Sequence, residues 1–187
     1  QFTVPLKLKQ RLSRIEWCQE TMAVKDYSSL CVLLVDDEMV NLKILNKLLT
    51  KLHIPLANIF LAKSANEAFA IYKKQQELNR PIDVVFTDLD LGQGSNGFML
   101  AHSIRQDEAK AVHGTSAAIF IVSGTKCENN NEYIALVNGT ILKPCTANHL
   151  IKALDTVLEH IKGASKKQTA TNSEKQPTAE YCSSPSG

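Results

Sequence analysis

Long apolar runs are absent from this sequence. None approaches the ~18 to 20 residues that cross a bilayer, and residues 1–10 contain no signal-peptide core. A strong excess of basic charge is absent too, because 21 Lys and Arg stand against 19 Asp and Glu and give a net charge of +2. Nucleic-acid-binding domains usually carry a larger basic excess. We therefore expect a soluble chain that contacts no nucleic acid and, through this segment, no membrane.

Closely paired cysteines are absent as well. The five cysteines are an odd number, and no two of them have the short spacing of a metal-binding knuckle. None has a nearby His arranged as an activating base, so a catalytic cysteine is disfavoured. This usage predicts free thiols and a cytoplasmic location.

Residues 31–162 alternate short apolar runs with amphipathic runs, a pattern typical of successive βα units. The predicted fold class is α/β, with five parallel strands and helices on both faces of the sheet. The predicted strands are residues 31–35, 58–63, 84–87, 118–122 and 140–142. The predicted helices are residues 39–52, 64–78, 98–108, a short helix at 133–137, and a last helix from Thr146 to about Ile161.

Polar side chains follow four of these strands. They are Asp36, Asp37 and Glu38 after the first strand, Asp88 and Asp90 after the third, Ser123 after the fourth and Lys143 after the fifth. The carboxyl ends of parallel strands lie at one edge of the sheet, where ligands bind in such folds. Clustered carboxylates repel one another unless a hard divalent cation joins them, and Mg²⁺ is the obvious candidate.

A lysine and a hydroxyl beside a metal-bound carboxylate suit a site that holds phosphoryl oxygens. The strand-end residues therefore predict phosphoryl transfer onto a carboxylate. Taken singly, two aspartates after a strand are often a helix cap, and Lys-Pro is often a plain turn. The whole set in this order has no comparable structural explanation.

Across Leu30 to Lys162 the chain resembles the receiver domains of two-component response regulators. The resemblance is carried by the acidic turn Leu34-Val35-Asp36-Asp37-Glu38, the strand Asp83-Val-Val-Phe-Thr-Asp88, the hydroxyl of Ser123, and Lys143-Pro144. It implies a flavodoxin-like, doubly wound five-stranded sheet. It also implies that Asp88 accepts a phosphoryl group from a phosphohistidine of a histidine kinase or a histidine phosphotransfer domain.

The resemblance further implies the role of each site residue. Asp88, Lys143 and Ser123 are the expected catalytic residues, and the domain would catalyse its own phosphorylation and dephosphorylation. Mg²⁺ would be held by Asp37 directly, by Asp36 through water, by Asp88, and by the backbone carbonyl of Asp90.

The sequence departs from the family pattern in three ways. Leu91-Gly92 stand where the family usually has Met-Pro. The glycine that the family usually has eight residues after the phosphoacceptor is shifted by one residue, to Gly97 of the pair Asn96-Gly97. These changes predict a longer and more flexible loop. In the family, an aromatic residue three positions before the lysine swings its ring inward as part of the switch. Thr140 stands at that position, so no such movement is expected here. Gly124 stands directly after Ser123, the expected switch hydroxyl, where the family commonly has Ala. The smaller residue only opens the site further.

The rest of the chain predicts a larger context. Residues 1–6 resemble the last strand of a histidine kinase ATP-binding domain, and residues 7–29 are expected to be a partly helical linker. We expect the receiver at 30–162 and a disordered tail at 163–187, which is polar and has almost no large apolar residues. The chain would then be the carboxyl-terminal receiver of a hybrid kinase, whose parent chain could be membrane-anchored. A stand-alone regulator is the alternative.

Two other functions fit part of the motif set. A haloacid-dehalogenase-like phosphatase would use Asp88 and Asp90 as nucleophile and acid-base pair, but there the Asp-x-Asp normally ends the first strand. A pseudo-receiver would bind partners without phosphorylation. The intact set of strand-end residues weighs against that alternative.

Overall fold

The computed structural model describes residues 25–92, 94–111, 116–125 and 135–171, with side chains described as far as Lys162. Its five strands form one parallel sheet in the order β2-β1-β3-β4-β5. The strands are β1 (Val32–Val35), β2 (Ile59–Ala62), β3 (Val84–Asp88), β4 (Ala118–Ser123) and β5 (Gly139–Leu142). This confirms the predicted α/β class and the doubly wound sheet.

Four α-helices occur in the described ranges. They are α1 (Met39–Lys51), α2 (Ala65–Glu77), α3 (Gly97–Glu108) and α4 (Ala147–Thr171). A short 3-10 helix, Leu56–Asn58, precedes β2. Among the residues described, no helix combines the length and apolar character that crossing a membrane requires.

Alternate residues of β1, β2, β3 and β4 enter two separate cores. Leu34 of β1 packs in the cluster that contains Leu45 of α1 and Leu154 of α4. Its neighbour Leu33 packs in the cluster that contains Tyr72 of α2 and Ile104 of α3. Because successive side chains of a strand point to opposite faces, the apolar β1 sequence fills both layers. The sheet is therefore covered on both sides and rigidly positions the loops at its edges.

The start of α2 follows from a local sequence signal. Ser64 is the N-cap of α2, and its side chain accepts a hydrogen bond from the Glu67 backbone N–H at 3.2 Å. The Glu67 carboxylate accepts from the Lys63 N–H at 2.7 Å, one residue before the position expected in a capping box. The two bonds together fix the turn that leads out of β2.

Two predicted elements differ from the structure. For the short helix predicted at 133–137, residues 133 and 134 lie outside the described residues, and Ala135 and Leu136 form a turn. The last helix continues past the expected domain end at Lys162 to Thr171. Ala, Lys and Gln are strong helix formers, which suits this continuation despite the lack of apolar residues. Residues 172–187 and the predicted linker up to residue 24 lie outside the described part.

Candidate functional site

Three carboxylates meet where β1 and β3 end. Asp36 and Asp37 directly follow β1, and Asp88 is the last residue of β3, the strand paired with β1. One carboxylate oxygen from each of the three lies within 4.8 Å of the others. Asp36 is only 1% exposed, Asp88 is partly buried, and Asp37 is open to solvent. The predicted acidic cluster thus exists as a geometric unit at the carboxyl edge of the sheet.

Lys143 brings one positive charge to this cluster. Its Nζ donates to Asp88 Oδ2 at 2.7 Å and to Asp36 Oδ2 at 3.1 Å. Burial alone would lower the pKa of Lys143, but its hydrogen bonds to the two carboxylates outweigh burial and raise the pKa. The ammonium is therefore charged at neutral pH. The peptide bond from Lys143 to Pro144 is cis.

Ser123 lies at the end of β4, next to the end of β3. Asp88 pairs in register with Val122, so Ser123 is one residue further towards the site. The serine is buried, and its Oγ accepts a hydrogen bond from the Thr125 N–H at 3.2 Å. Its backbone carbonyl accepts from the Lys143 N–H at 2.8 Å, which ties the ends of β4 and β5 together.

The loop after β3 forms a small hydrogen-bonded turn. Asp90 and Asn96 form an antiparallel bridge, and the Leu91 side chain between them is buried. The exposed Asp90 carboxylate accepts a hydrogen bond from the Gly92 N–H at 3.1 Å and does not belong to the acidic cluster. That the Asp90 backbone carbonyl holds a metal stays a prediction from the family resemblance.

Glycine at position 97 allows the loop to pass close to the end of β3. A Cβ there would overlap the backbone carbonyl oxygen of Asp88. Asn96 caps α3 by accepting a hydrogen bond from the Met99 N–H at 2.9 Å. The Asn96-Gly97 pair therefore sets the start of α3 directly against Asp88.

Asn41 belongs to the site, although the sequence reasoning missed it. Its Nδ2 donates to Asp36 Oδ1 at 3.0 Å and to Glu38 Oε2 at 3.2 Å. The signal was present in the sequence, because Asn41 lies in the first turn of the helix that begins directly after the acidic turn. A polar residue on that turn of the helix can reach back to the strand end.

The donor set fits Mg²⁺. The Lys143 ammonium contacts two of the three carboxylates, and none of the described residues donates a hydrogen bond to the third, that of Asp37. Mg²⁺ prefers oxygen ligands and is commonly bound by one or two carboxylates together with water and phosphate. Asp36, Asp37 and Asp88 supply oxygen atoms and an uncompensated negative charge, which are the two properties that such an ion requires.

Comparison with known families agrees with this geometry. The family model of the response regulator receiver domain matches residues 32–155. The chain belongs to this family. It is therefore a receiver domain of two-component signalling, and the phosphatase alternative is not favoured. Comparison with curated protein sequences gives no match.

Solved structures show the same fold. A CheY-like receiver domain from Methylobacillus flagellatus is 24% identical, with a TM-score of 0.54 over 67% of this chain and 96% of that one. CheY in a CheX–CheY–BeF3–Mg²⁺ complex from Borrelia burgdorferi is 21% identical, with a TM-score of 0.56 over 69% and 89%. The receiver domain of Saccharomyces cerevisiae Ssk1, in complex with the histidine phosphotransfer protein Ypd1, is 25% identical, with a TM-score of 0.57 over 70% and 89%.

Proposed function

We propose that this receiver domain takes a phosphoryl group from a phosphohistidine onto Asp88 with the help of Mg²⁺. The observation that supports this most strongly is the arrangement around Asp88. Its carboxylate lies 2.7 Å from the Lys143 ammonium and in one cluster with Asp36 and Asp37. A carboxylate nucleophile held between a cation and a metal-binding pair needs only an incoming phosphoryl group.

The transfer forms an O–P bond to Asp88 and breaks the N–P bond of the donor, and the imidazole nitrogen leaves with the bonding electron pair. Bound Mg²⁺ would neutralise phosphoryl oxygens and orient them. Asp88 Oδ1 accepts a hydrogen bond from the Leu89 N–H at 2.7 Å, and Oδ2 faces Lys143, so the nucleophile is fixed before the donor arrives. Lys143 and the Ser123 hydroxyl are the groups that we assign to the transferred phosphoryl oxygens.

The proposed donor is the histidine-bearing domain of a kinase or of a phosphotransfer protein. The Ssk1 receiver, which this chain resembles, was crystallised with such a phosphotransfer protein. Phosphohistidine must reach Asp88 directly, so the donor has to cover the protein surface around the acidic cluster. Exposed apolar residues lie there, in the early turns of the two helices that follow the site: Met39, Val40, Ile44 and Met99.

Exchange of both Val40 and Ile44 for Ser tests this docking surface. The two side chains are 65% and 50% exposed, so their removal should leave the fold intact. Transfer from a phosphorylated histidine phosphotransfer protein should slow about tenfold, because the variant loses the apolar area that both side chains would bury against the donor. Transfer from acetyl phosphate should be unchanged. Leu78→Ser is the matched control, since Leu78 is 56% exposed at the far end of α2. Equal slowing in the control would contradict this surface.

The central test is intact mass after incubation with acetyl phosphate and Mg²⁺. The wild-type chain should gain one phosphoryl group, and Asp88→Asn should gain none. Asp90→Asn serves as the control, because that carboxylate lies in the same loop but outside the cluster. A wild-type domain that gains no mass and binds no beryllofluoride would support the pseudo-receiver alternative. An Asp88→Asn chain that still gains the mass would overturn Asp88 as the acceptor.

The hybrid-kinase context stays part of this proposal. It rests on the sequence of residues 1–6 and on the linker that follows, and residues 1–24 lie outside the described part of the chain. An ATP-binding domain encoded directly upstream would support it, and an unrelated upstream sequence would contradict it. As part of the same proposal, we place this domain in the cytoplasm.

A further inference from the structure

Asp36 is a buried carboxylate whose two oxygens have different partners. Oδ1 accepts hydrogen bonds from the Glu38 N–H at 2.9 Å and from Asn41 Nδ2 at 3.0 Å. Oδ2 accepts from Lys143 Nζ at 3.1 Å. Two donors on one oxygen fix the plane of the carboxylate, so that the other oxygen faces Lys143 and the acidic cluster.

Asn41 also contacts the third acidic residue of the turn. Its Nδ2 lies 3.2 Å from Glu38 Oε2, and an amide nitrogen has two hydrogens to share between two carboxylates. Glu38 makes no side-chain cap to α1, although it occupies the N-cap position. Its carboxylate is held by Asn41 instead, outside the cluster of Asp36, Asp37 and Asp88.

We propose that Asn41 is a positioning residue for the magnesium site, acting through Asp36 and Glu38. Its amide holds the buried carboxylate in the orientation that the metal site needs and keeps a fourth carboxylate away from the ion. This inference rests on the proposed function, since it assumes that the acidic cluster binds Mg²⁺. Groups that orient metal ligands typically contribute 10- to 100-fold to metal affinity.

The test compares Asn41→Leu with Asn46→Leu in a calorimetric titration with Mg²⁺. Leucine is similar in size to asparagine but donates no hydrogen bond. The dissociation constant of Asn41→Leu should rise about tenfold or more, in line with the contribution of such orienting groups. Asn46 lies on the same helix, and its Oδ1 is buried with no hydrogen-bond partner among the described residues. Asn46→Leu should therefore keep the wild-type affinity.

Two further measurements separate positioning from a merely structural role. Asn41→Gln keeps the amide and should recover part of the lost affinity, whereas a packing role would give no such recovery. In the wild-type protein, the side-chain NH₂ signals of Asn41 should shift when Mg²⁺ is added, and those of Asn46 should not. This NMR measurement requires no variant to fold.

The outcomes are distinguishable. A wild-type protein that binds no Mg²⁺ contradicts the proposed function itself. A wild-type protein that binds Mg²⁺ while Asn41→Leu binds equally well overturns only the role of Asn41. Equal losses in Asn41→Leu and Asn46→Leu would also overturn it, because the effect would then belong to the helix and not to the amide.

Discussion

The two edges of the sheet both carry charged groups, but the described ion pairs differ between them. At the amino edge, the carboxylates at the end of α3 form one-to-one ion pairs. There Arg105 forms an ion pair with Glu108 at 2.6 Å, and Lys73 forms one with Asp107 at 2.8 Å. Arg105 also donates hydrogen bonds to four further groups, the carbonyls of Ala117 and Leu136 and the side chains of Ser116 and Asn138. This network joins α3 to the starts of β4 and β5.

At the carboxyl edge, the single ammonium of Lys143 contacts two of the three clustered carboxylates, those of Asp36 and Asp88. Asp36, Asp37 and Asp88 together carry more negative charge than Lys143 can neutralise. Satisfied polar networks stabilise a fold, whereas an unbalanced cluster costs stability and persists where it binds something. The comparison therefore teaches that the network at the amino edge stabilises the fold, while the carboxyl edge keeps unbalanced charge where we propose that a cation and a phosphoryl group bind.

The largest effect should follow from Asp37→Ala. This change removes the exposed carboxylate that no described residue satisfies, so Mg²⁺ affinity should fall by about 100-fold or more. Stability without metal should stay equal or rise slightly, because one of three repelling charges is lost. Mg²⁺ titration followed by NMR, together with metal-free urea unfolding, measures both effects. Unchanged Mg²⁺ binding in the variant would contradict the assigned ligand.

Arg105→Ala should give the reverse pattern. The guanidinium is largely buried and bonded to five groups, so its loss should cost about 3 kcal/mol of unfolding free energy. Mg²⁺ affinity should change less than about twofold, because the network lies at the opposite edge. Lys73→Ala is the control, since its more exposed ion pair should cost less than ~1 kcal/mol. A large loss of Mg²⁺ affinity in Arg105→Ala would break the separation of the two edges.

The same comparison explains what the sequence could predict. Asp36, Asp88 and Lys143 follow apolar strands, and parallel strands must end at one edge, so the order of the strands along the chain suffices to bring these residues together. Arg105 and its acceptors lie on a helix, in loops and at strand starts, with no periodicity that links them. Asn41 was missed because its role depends on the orientation of one helical turn. The course of the loop past Gly97 depends on backbone contacts that sequence alone does not reveal.

Tyr27→Phe tests a smaller contribution at the amino edge. The buried Tyr27 hydroxyl donates to Asp155 Oδ1 at 2.7 Å, and burial raises the pKa of Tyr27 from 10.0 to about 12. Because the folded state favours the protonated phenol, this contribution to stability is complete below pH 10.0 and is lost as pH rises towards 12. Tyr27→Phe should cost about 1 kcal/mol at neutral pH. In urea unfolding, the free energy of unfolding of Tyr27→Phe should also fall less steeply than that of the wild type as pH rises from 10.0 towards 12. An alkaline slope equal to that of the wild type would contradict this origin.

The smallest effect should follow from Asp90→Asn, and two forces decide its direction. The Asp90 carboxylate could orient an attacking water and speed hydrolysis of the acyl phosphate, or its charge could repel the phosphoryl oxygens and slow phosphorylation. At ~5 Å and an effective dielectric constant of ~20, like charges repel by on the order of 3 kcal/mol before salt screening. Asp90 is exposed, so water and salt should reduce this repulsion severalfold.

We therefore expect water orientation to dominate, so that Asp90→Asn lengthens the phosphoryl lifetime at Asp88 about two- to fivefold. The Asn side-chain oxygen can still accept the Gly92 N–H, which keeps the turn and the backbone carbonyl in place. Mg²⁺ affinity should accordingly stay near the wild-type value. The decay of the phosphorylated domain at fixed Mg²⁺ measures the lifetime, and Glu77→Gln at the far end of α2 controls for the lost charge. Equal or faster decay in Asp90→Asn would count against the water-orienting role and favour repulsion, which also predicts faster phosphorylation of the variant. The carboxyl edge would then limit phosphorylation by its own charge.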